Sequence, residues 1–327
     1  MTTYAFEVDN VSRSFGGVKA LDGVTLKSEE GKVFGLLGPN GAGKTTIVRM
    51  LSTLLAADSG SLKVMGLDVR KHPADVRKQI GLAGQFAAVD EFQTGRENIT
   101  MVGGLYHLPK AQVKKRTNEL LERLDLVEAA DRPVRTYSGG MRRRLDLGAS
   151  LVVHPKVLFL DEPTTGLDPR TRLDLWDIIR DLVSEGTSIL LTTQYLEEAD
   201  ELADQIAVID HGKVIAEGTS EQLKRQLGGD VIEFSLHNLK QYETALAAVT
   251  ALANKKPSFD ETTLTLTLPV KDGSKMIIEV VRALDKAMID PTSLSMHSPS
   301  LDDVFLSLTG KKTEVTEPPK KHGRKGD

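Results

Sequence analysis

Cysteine is absent from the 327 residues. That excludes disulfides, thiolate metal sites and cysteine nucleophiles, and it fits a cytoplasmic protein. An excess of basic charge is also missing: 42 Lys and Arg stand against 46 Asp and Glu, a formal net charge of −4. Such a balance gives no electrostatic reason to expect nucleic acid as a partner. No apolar run approaches the ~18 residues that a membrane span requires. The start, with Glu7 and Asp9, lacks the basic and apolar regions of a signal peptide. Any link to a membrane is therefore expected to pass through a partner. The 7 histidines form no metal-like cluster along the chain. What remains is the composition of a soluble globular protein, long enough for two domains.

The most informative stretch that is present is Gly38-Pro39-Asn40-Gly41-Ala42-Gly43-Lys44-Thr45-Thr46. It fits the phosphate-loop pattern G-x-x-x-x-G-K-[ST] and lies between an apolar strand at 33–37 and a helical run at 46–55, the context that pattern needs. Glycines at 38, 41 and 43 let the backbone wrap a phosphate chain with its N–H groups turned inward. The helix that follows adds its positive end. Lys44 is expected to reach the β- and γ-phosphates, and the Thr45 hydroxyl to hold Mg²⁺. The pattern implies a nucleoside triphosphate.

Around this loop the chain alternates strands and helices. Residues 4–37 read as short strands with a turn at Phe15-Gly16-Gly17. Phe15 could stack on an adenine ring, although an isolated aromatic more often belongs to a core. Residues 59–82 read as strand and loop and run into Gln85, whose amide could ligate Mg²⁺ and orient the attacking water. Residues 96–130 read as helical, with Val113, Leu120, Leu121, Leu124 and Val127 on one face, and the charge run 110–116 reads as a solvated face. Ser138-Gly139-Gly140 opens a helix at 142–153, either as an ordinary cap or as a second anion site. The run 157–160 reads as a strand buried on both faces, and it delivers Asp161, a candidate Mg²⁺ ligand, and Glu162, a candidate base for the attacking water. A turn ending at Asp168-Pro169 leads to a helix at 170–183, and a second buried strand, 188–192, ends at Gln194.

In this order the elements resemble the nucleotide-binding subunit of ATP-binding cassette (ABC) transporters, over residues 4–225. The resemblance implies an α/β fold, a P-loop NTPase domain with a helical insert at about 88–150. It makes Phe15 the adenine-stacking aromatic, residues 38–46 the Walker A loop and Gln85 the Q-loop glutamine. Ser138 to Gly140 match the signature turn, Asp161 ends the Walker B strand, Glu162 is the catalytic carboxylate, and Asp168 closes the D-loop. Two departures stand out. The signature reads Tyr137-Ser138-Gly139-Gly140-Met141 instead of LSGGQ, and Gln194 takes the place of the switch histidine. An amide can donate to a γ-phosphate but cannot carry charge, so hydrolysis is expected to be slower or differently coupled. The wording of residues 194–200 and the C-terminal extension look most like the daunorubicin-resistance type of drug and lipid exporter.

The resemblance further implies ATP with Mg²⁺, a homodimer in which each ATP lies between one chain's Gly38 loop and the other's Ser138 turn, and an integral-membrane permease contacted near residues 86–92. The location implied is the cytoplasmic face of the membrane, peripherally bound. Domain boundaries are expected at 4–228 for the ATP-binding domain and 229–310 for a small α/β accessory domain of ferredoxin-like kind, with a disordered tail at 311–327. In the accessory domain Ser300-Leu301-Asp302-Asp303 reads as a helix cap. The stripe Leu301, Val304, Phe305 and Leu308 is expected to pack within its own domain, the alternative being the cassette or a second subunit. Two other functions stay open: a soluble cassette ATPase acting on nucleic acid or ribosomes, and an ATP-binding regulatory module with little turnover.

Overall fold

The computed structural model describes residues 3–84, 88–226 and 229–309. Gln85 and the tail expected at 311–327 lie outside these, as does the junction at 227–228. Two long antiparallel strands, β1 (Tyr4–Phe15) and β2 (Val18–Glu29), come first, followed by β3 (Val33–Leu37) and α1 (Lys44–Leu51). Strands β4 (Ser59–Val64) and β5 (Leu67–Asp68) return to β1, giving a sheet in the order β2-β1-β4-β5. Between them and β6 (Ile80–Ala83) stands a short helix, α2 (Pro73–Arg77), in a stretch the sequence reads as strand and loop. His72-Pro73 explains it, because proline at the first helical position costs no hydrogen bond.

The helical insert is built from α3 (Gly95–Leu105), α4 (Lys110–Arg123) and α5 (Gly139–Ser150). Thr94 and Glu97 close a reciprocal capping box at the start of α3. The apolar stripe buries as expected except Val127, which follows α4 and is exposed. Then β7 (Val157–Asp161), α6 (Pro169–Ser184), β8 (Ser188–Thr193), α7 (Leu196–Leu202), β9 (Gln205–Asp210) and β10 (Lys213–Gly218) complete a sheet in the order β10-β9-β3-β8-β7-β6. Every pairing from β9 to β6 is parallel. Strands β3, β7 and β8 are buried along their whole length, as strands covered on both faces must be. Their C-terminal tips lie side by side, the place where open parallel sheets bind ligands.

After α8 (Ser220–Arg225) a third sheet forms from β11 (Asp230–Ser235), β12 (Ser258–Asp260), β13 (Thr265–Val270) and β14 (Ser293–His297), with α9 (Tyr242–Val249) and α10 (Gly273–Lys286) between its strands. Its order, β12-β13-β11-β14, is antiparallel throughout. That is the β-α-β-β-α-β arrangement of a ferredoxin-like unit.

The final helix, α11 (Leu301–Thr309), overturns one expectation. Ser300 and Asp303 cap it as read: the Asp303 amide donates to Ser300 Oγ (3.2 Å) and the Ser300 amide to Asp303 Oδ2 (2.8 Å). Its apolar face, however, packs mainly on the cassette: Leu301, Val304 and Phe305 share one buried cluster with Leu37, Leu196, Ala199, Ile206, Val208 and Leu223, joined by Val231 of β11, while Leu308 is exposed. Helical spacing predicts an apolar face and says nothing of which surface receives it. At the root of α11, His297 Nε2 comes within 3.7 Å of Glu233 and its Nδ1 within 3.6 Å of Asp303. Folding thus gathers a histidine and two carboxylates that chain order keeps apart.

Candidate functional site: a nucleotide cleft at the strand tips

Gly38 follows strand β3, and its amide donates to the Thr193 carbonyl (3.4 Å) at the tip of β8. A methyl group at Gly38 would collide with the Ile209 carbonyl, and one at Gly43 would sit 2.7 Å from that of Ala20. Gly41 (φ 80°) and Gly43 (φ 113°) take left-handed backbone, open to glycine at little cost. The loop therefore hugs the sheet edge and leads directly into the start of α1. Ala20, Pro39, Asn40, Gly41, Gly43, Lys44, Thr45, Thr46 and Glu162 line a cavity of about 340 Å³.

Lys44 is 4% exposed. Its ammonium donates to the carbonyls of Gly38 (2.7 Å) and Pro39 (3.1 Å) and lies 3.3 Å from Glu162 Oε1. Burial pushes this ammonium below the usual lysine range, and the Glu162 and Asp161 charges oppose the shift. Beside it Thr45 Oγ1 donates to Asp161 Oδ1 (3.1 Å), and Thr192 Oγ1 donates to the same oxygen (2.6 Å). The Glu162 amide donates to Thr192 Oγ1 (3.0 Å) and its carbonyl oxygen (3.1 Å). Glu162 itself has φ 49°. A non-glycine residue in that region costs about 1–3 kcal/mol and persists where its surroundings over-determine it.

Phe15, Ser138, Gly139, Gly140, Asp168 and Gln194 do not line this cavity. Phe15 is 46% exposed at the end of β1, with the Arg13 guanidinium 4.9 Å from its ring centre, so it is not a core aromatic. Ser138 caps α5 by accepting from the Met141 amide (3.2 Å), while Gly139 beside it is exposed. Asp168 caps α6, accepting from the Thr171 amide (3.0 Å) and hydroxyl (2.6 Å), and these bonds hold its carboxyl below the usual range. Gln194, just past β8, is buried. Ser138, Gly139, Gly140 and Asp168 take no part in lining the cavity of their own chain.

The ABC transporter family model matches residues 21–165. The chain is 51% identical over 317 residues to the daunorubicin resistance ATP-binding protein DrrA2 of Streptomyces coeruleorubidus, covering 97% of this chain and 98% of that protein. This chain belongs to the ABC transporter family. The ABC subunit is also 47% identical over 317 residues to the doxorubicin resistance ATP-binding protein DrrA of Mycobacterium tuberculosis, covering 95% of each. Among solved structures it is similar to the ADP conformation of an ATP-binding cassette of an ABC transporter, at 28% identity and a TM-score of 0.61. That likeness covers 67% of the ABC subunit and 92% of the solved chain. No helix among the described residues is long and apolar enough to cross a membrane. Family membership makes the subunit an ABC-type ATPase.

Several residues of the ABC subunit's site escape sequence reading. Thr192, inside an apolar strand, is the hydroxyl that joins Asp161 to the Glu162 amide. Glu198 on α7 is fully buried and accepts from Trp176 Nε1 (3.0 Å); burial pushes its carboxyl up, opposed by the Thr193, Thr164 and Trp176 groups beside it. Arg143 on α5 is 7% exposed and donates to three backbone carbonyls: Pro163 (2.7 Å), Asp161 (3.2 Å) and Gly84. Asp146, 4% exposed, lies 3.5 Å from Arg143 and accepts from the Ala88 amide (2.8 Å). Burial pushes its carboxyl up to about 6. The signal available for both was a charge on the apolar face of a helix.

Proposed function

We propose that the subunit binds ATP with Mg²⁺ in the cavity at residues 38–46 and hydrolyses it to energise export of a hydrophobic compound through a separate membrane subunit. The observation that carries this reading is the meeting of Lys44 and Glu162 at 3.3 Å beside Thr45 and Asp161, two side chains from the start of α1 and two from the tip of β7 converging at one phosphate loop. The Thr45 hydroxyl and Asp161 carboxylate offer adjacent hard oxygen donors, the chemistry that suits Mg²⁺. When bound, that ion neutralises phosphate charge.

In this reading Lys44 exchanges Glu162 and the loop carbonyls for the β- and γ-phosphates. Glu162, released, takes the proton of the water that attacks the γ-phosphorus, and the Gln194 amide donates to the γ-phosphate. Phe15, exposed at the end of β1, stacks on adenine. Gln85, outside the described residues, retains its assigned role at the metal and the attacking water. Ser138, Gly139, Gly140 and Asp168 act across a homodimer, on the nucleotide of the second copy, and this fits their absence from the cavity of their own chain. Residues 4–228 serve as the ATP-binding domain and 229–310 as an accessory domain. The subunit sits peripherally at the cytoplasmic face of the membrane.

The cargo class rests on the relatives' names, which are those of daunorubicin and doxorubicin resistance proteins. The test is ATP hydrolysis by wild type and Glu162→Gln. Loss of turnover with retained ATP binding and an ATP-dependent dimer is expected. Equal rates would refute the assignment of Glu162 and favour a regulatory module. Fractionation of cells with and without a co-expressed candidate permease tests the coupling, and a chain found only in the soluble fraction in both cases would refute it.

A further inference from the structure

Three consecutive arginines follow the Ser138 turn, and they do different things. Arg142 and Arg144 point outward, to Glu91 (2.9 Å) and to the Leu124 carbonyl (3.0 Å). Arg143 alone of the three is buried. We propose that Arg143 is a positioning residue for ATP hydrolysis, fixing the backbone on both sides of Glu162 and tying that carboxylate to the Ser138 turn on the same helix. This rests on the roles given above to Glu162 and Ser138.

Two of the carbonyls that Arg143 grips, those of Asp161 and Pro163, belong to the immediate neighbours of Glu162. The third, of Gly84, lies just past β6, and Asp146 holds the Ala88 amide four residues further on. The Glu162 amide is anchored from β8 through Thr192. Arg143 supplies the anchors on the carbonyl side, so together they hold Glu162 in a left-handed conformation it would otherwise leave. Only guanidinium offers a planar fork of five donors that can serve several fixed carbonyls at once. Asp146, one turn along α5, supplies the opposing charge at 3.5 Å.

Ser138 precedes Arg143 by five residues, about 7.5 Å along a helix. A nucleotide of the second copy docked on that turn therefore pulls on the same rigid rod that holds Glu162. Closing one site is transmitted to the carboxylate of the other without an intervening loop.

The experiment measures ATP hydrolysis by the full chain carrying Arg143→Gln or Arg143→Lys, beside wild type and Glu162→Gln. Turnover is expressed per nucleotide-binding chain. Both Arg143 variants are expected to lose about 10- to 100-fold in kcat with KM changed by less than about 3-fold, the signature of a displaced group with binding intact. In the Glu162→Gln background, Arg143→Gln should still dimerise with ATP. A purely structural role would lower the fraction of chain that binds nucleotide and leave kcat per binding chain at the wild-type value. That result, or a KM that rises as kcat falls, overturns the proposal. Should Arg143→Gln fail to fold, Arg143→Lys carries the test, because it keeps the charge opposite Asp146 and loses only the fork. Full activity in Glu162→Gln would instead remove the underlying reading of Glu162, a result separable from full activity in Arg143→Gln alone.

Discussion

Asp146→Asn changes one atom in a buried ion pair, and its effect on stability should depend on pH in a calculable way. The carboxyl is pushed up to about 6 in the folded chain from an ordinary 3.8, because burial outweighs the Ala88 amide and the Arg143 charge. The folded state therefore holds this proton over a pH range where the unfolded state has released it. A raised folded value means stability that is fully present below the unfolded value and is lost as pH rises through the folded one. Between pH 5 and pH 7 the loss amounts to about 1 kcal/mol, because the folded carboxyl releases its proton over this range and the unfolded one has already done so. Asparagine keeps the shape and can still accept from the Ala88 amide, but it does not titrate. Trp176, the single tryptophan, is 2% exposed in the core that packs α5 and α6, so its fluorescence reports unfolding of this region. Urea titrations of both proteins at pH 5 and pH 7 give four free energies. The wild type should lose about 1 kcal/mol more than the variant on going to pH 7. An identical pH response in the two proteins would refute the raised carboxyl and the burial invoked for it.

Lys44→Ala should abolish ATP binding in calorimetric titration, since it removes the ammonium at the centre of the phosphate loop; unchanged affinity would refute the site. Gly140→Ala should lower thermal stability by about 1–3 kcal/mol in equivalent free energy, because the new methyl meets Thr171, whose hydroxyl is locked to Asp168 at 2.6 Å. Gly139→Ala, facing open space, should melt like wild type. Phe305→Ala, at a side chain 3% exposed between α11 and the cassette, should cost about 3–5 kcal/mol in urea unfolding; a loss below about 1 kcal/mol would mean that α11 is only loosely seated.

The phosphate loop was legible because its chemistry is contiguous: nine residues in a row carry the glycines, the ammonium and the hydroxyl. The buried strands were legible for a similar reason, since short unbroken apolar runs such as Val157 to Leu160 admit few other readings. Arg143 was not, because it acts on backbone carbonyls, which have no residue signature, at positions 18, 20 and 59 residues away. The edge strands β12 and β14 escaped because Ser258–Asp260 is too short for a period and Ser293–His297 is half solvated. The destination of α11 was hidden for a more general reason. An amphipathic stripe specifies that a surface must be covered, and only the assembled fold decides which surface is available.

That destination bears on how the protein can be cut. Leu37, the last residue of the strand that delivers the phosphate loop, lies in the oily cluster completed by Leu301, Val304 and Phe305. A fragment ending at α8 would keep every motif of the ATPase and yet bare Leu196, Ala199 and Leu223 to water, inviting self-association at a patch the intact chain never shows. A well-behaved piece of this protein therefore has to include α11, because that helix is part of the floor beneath the first motif.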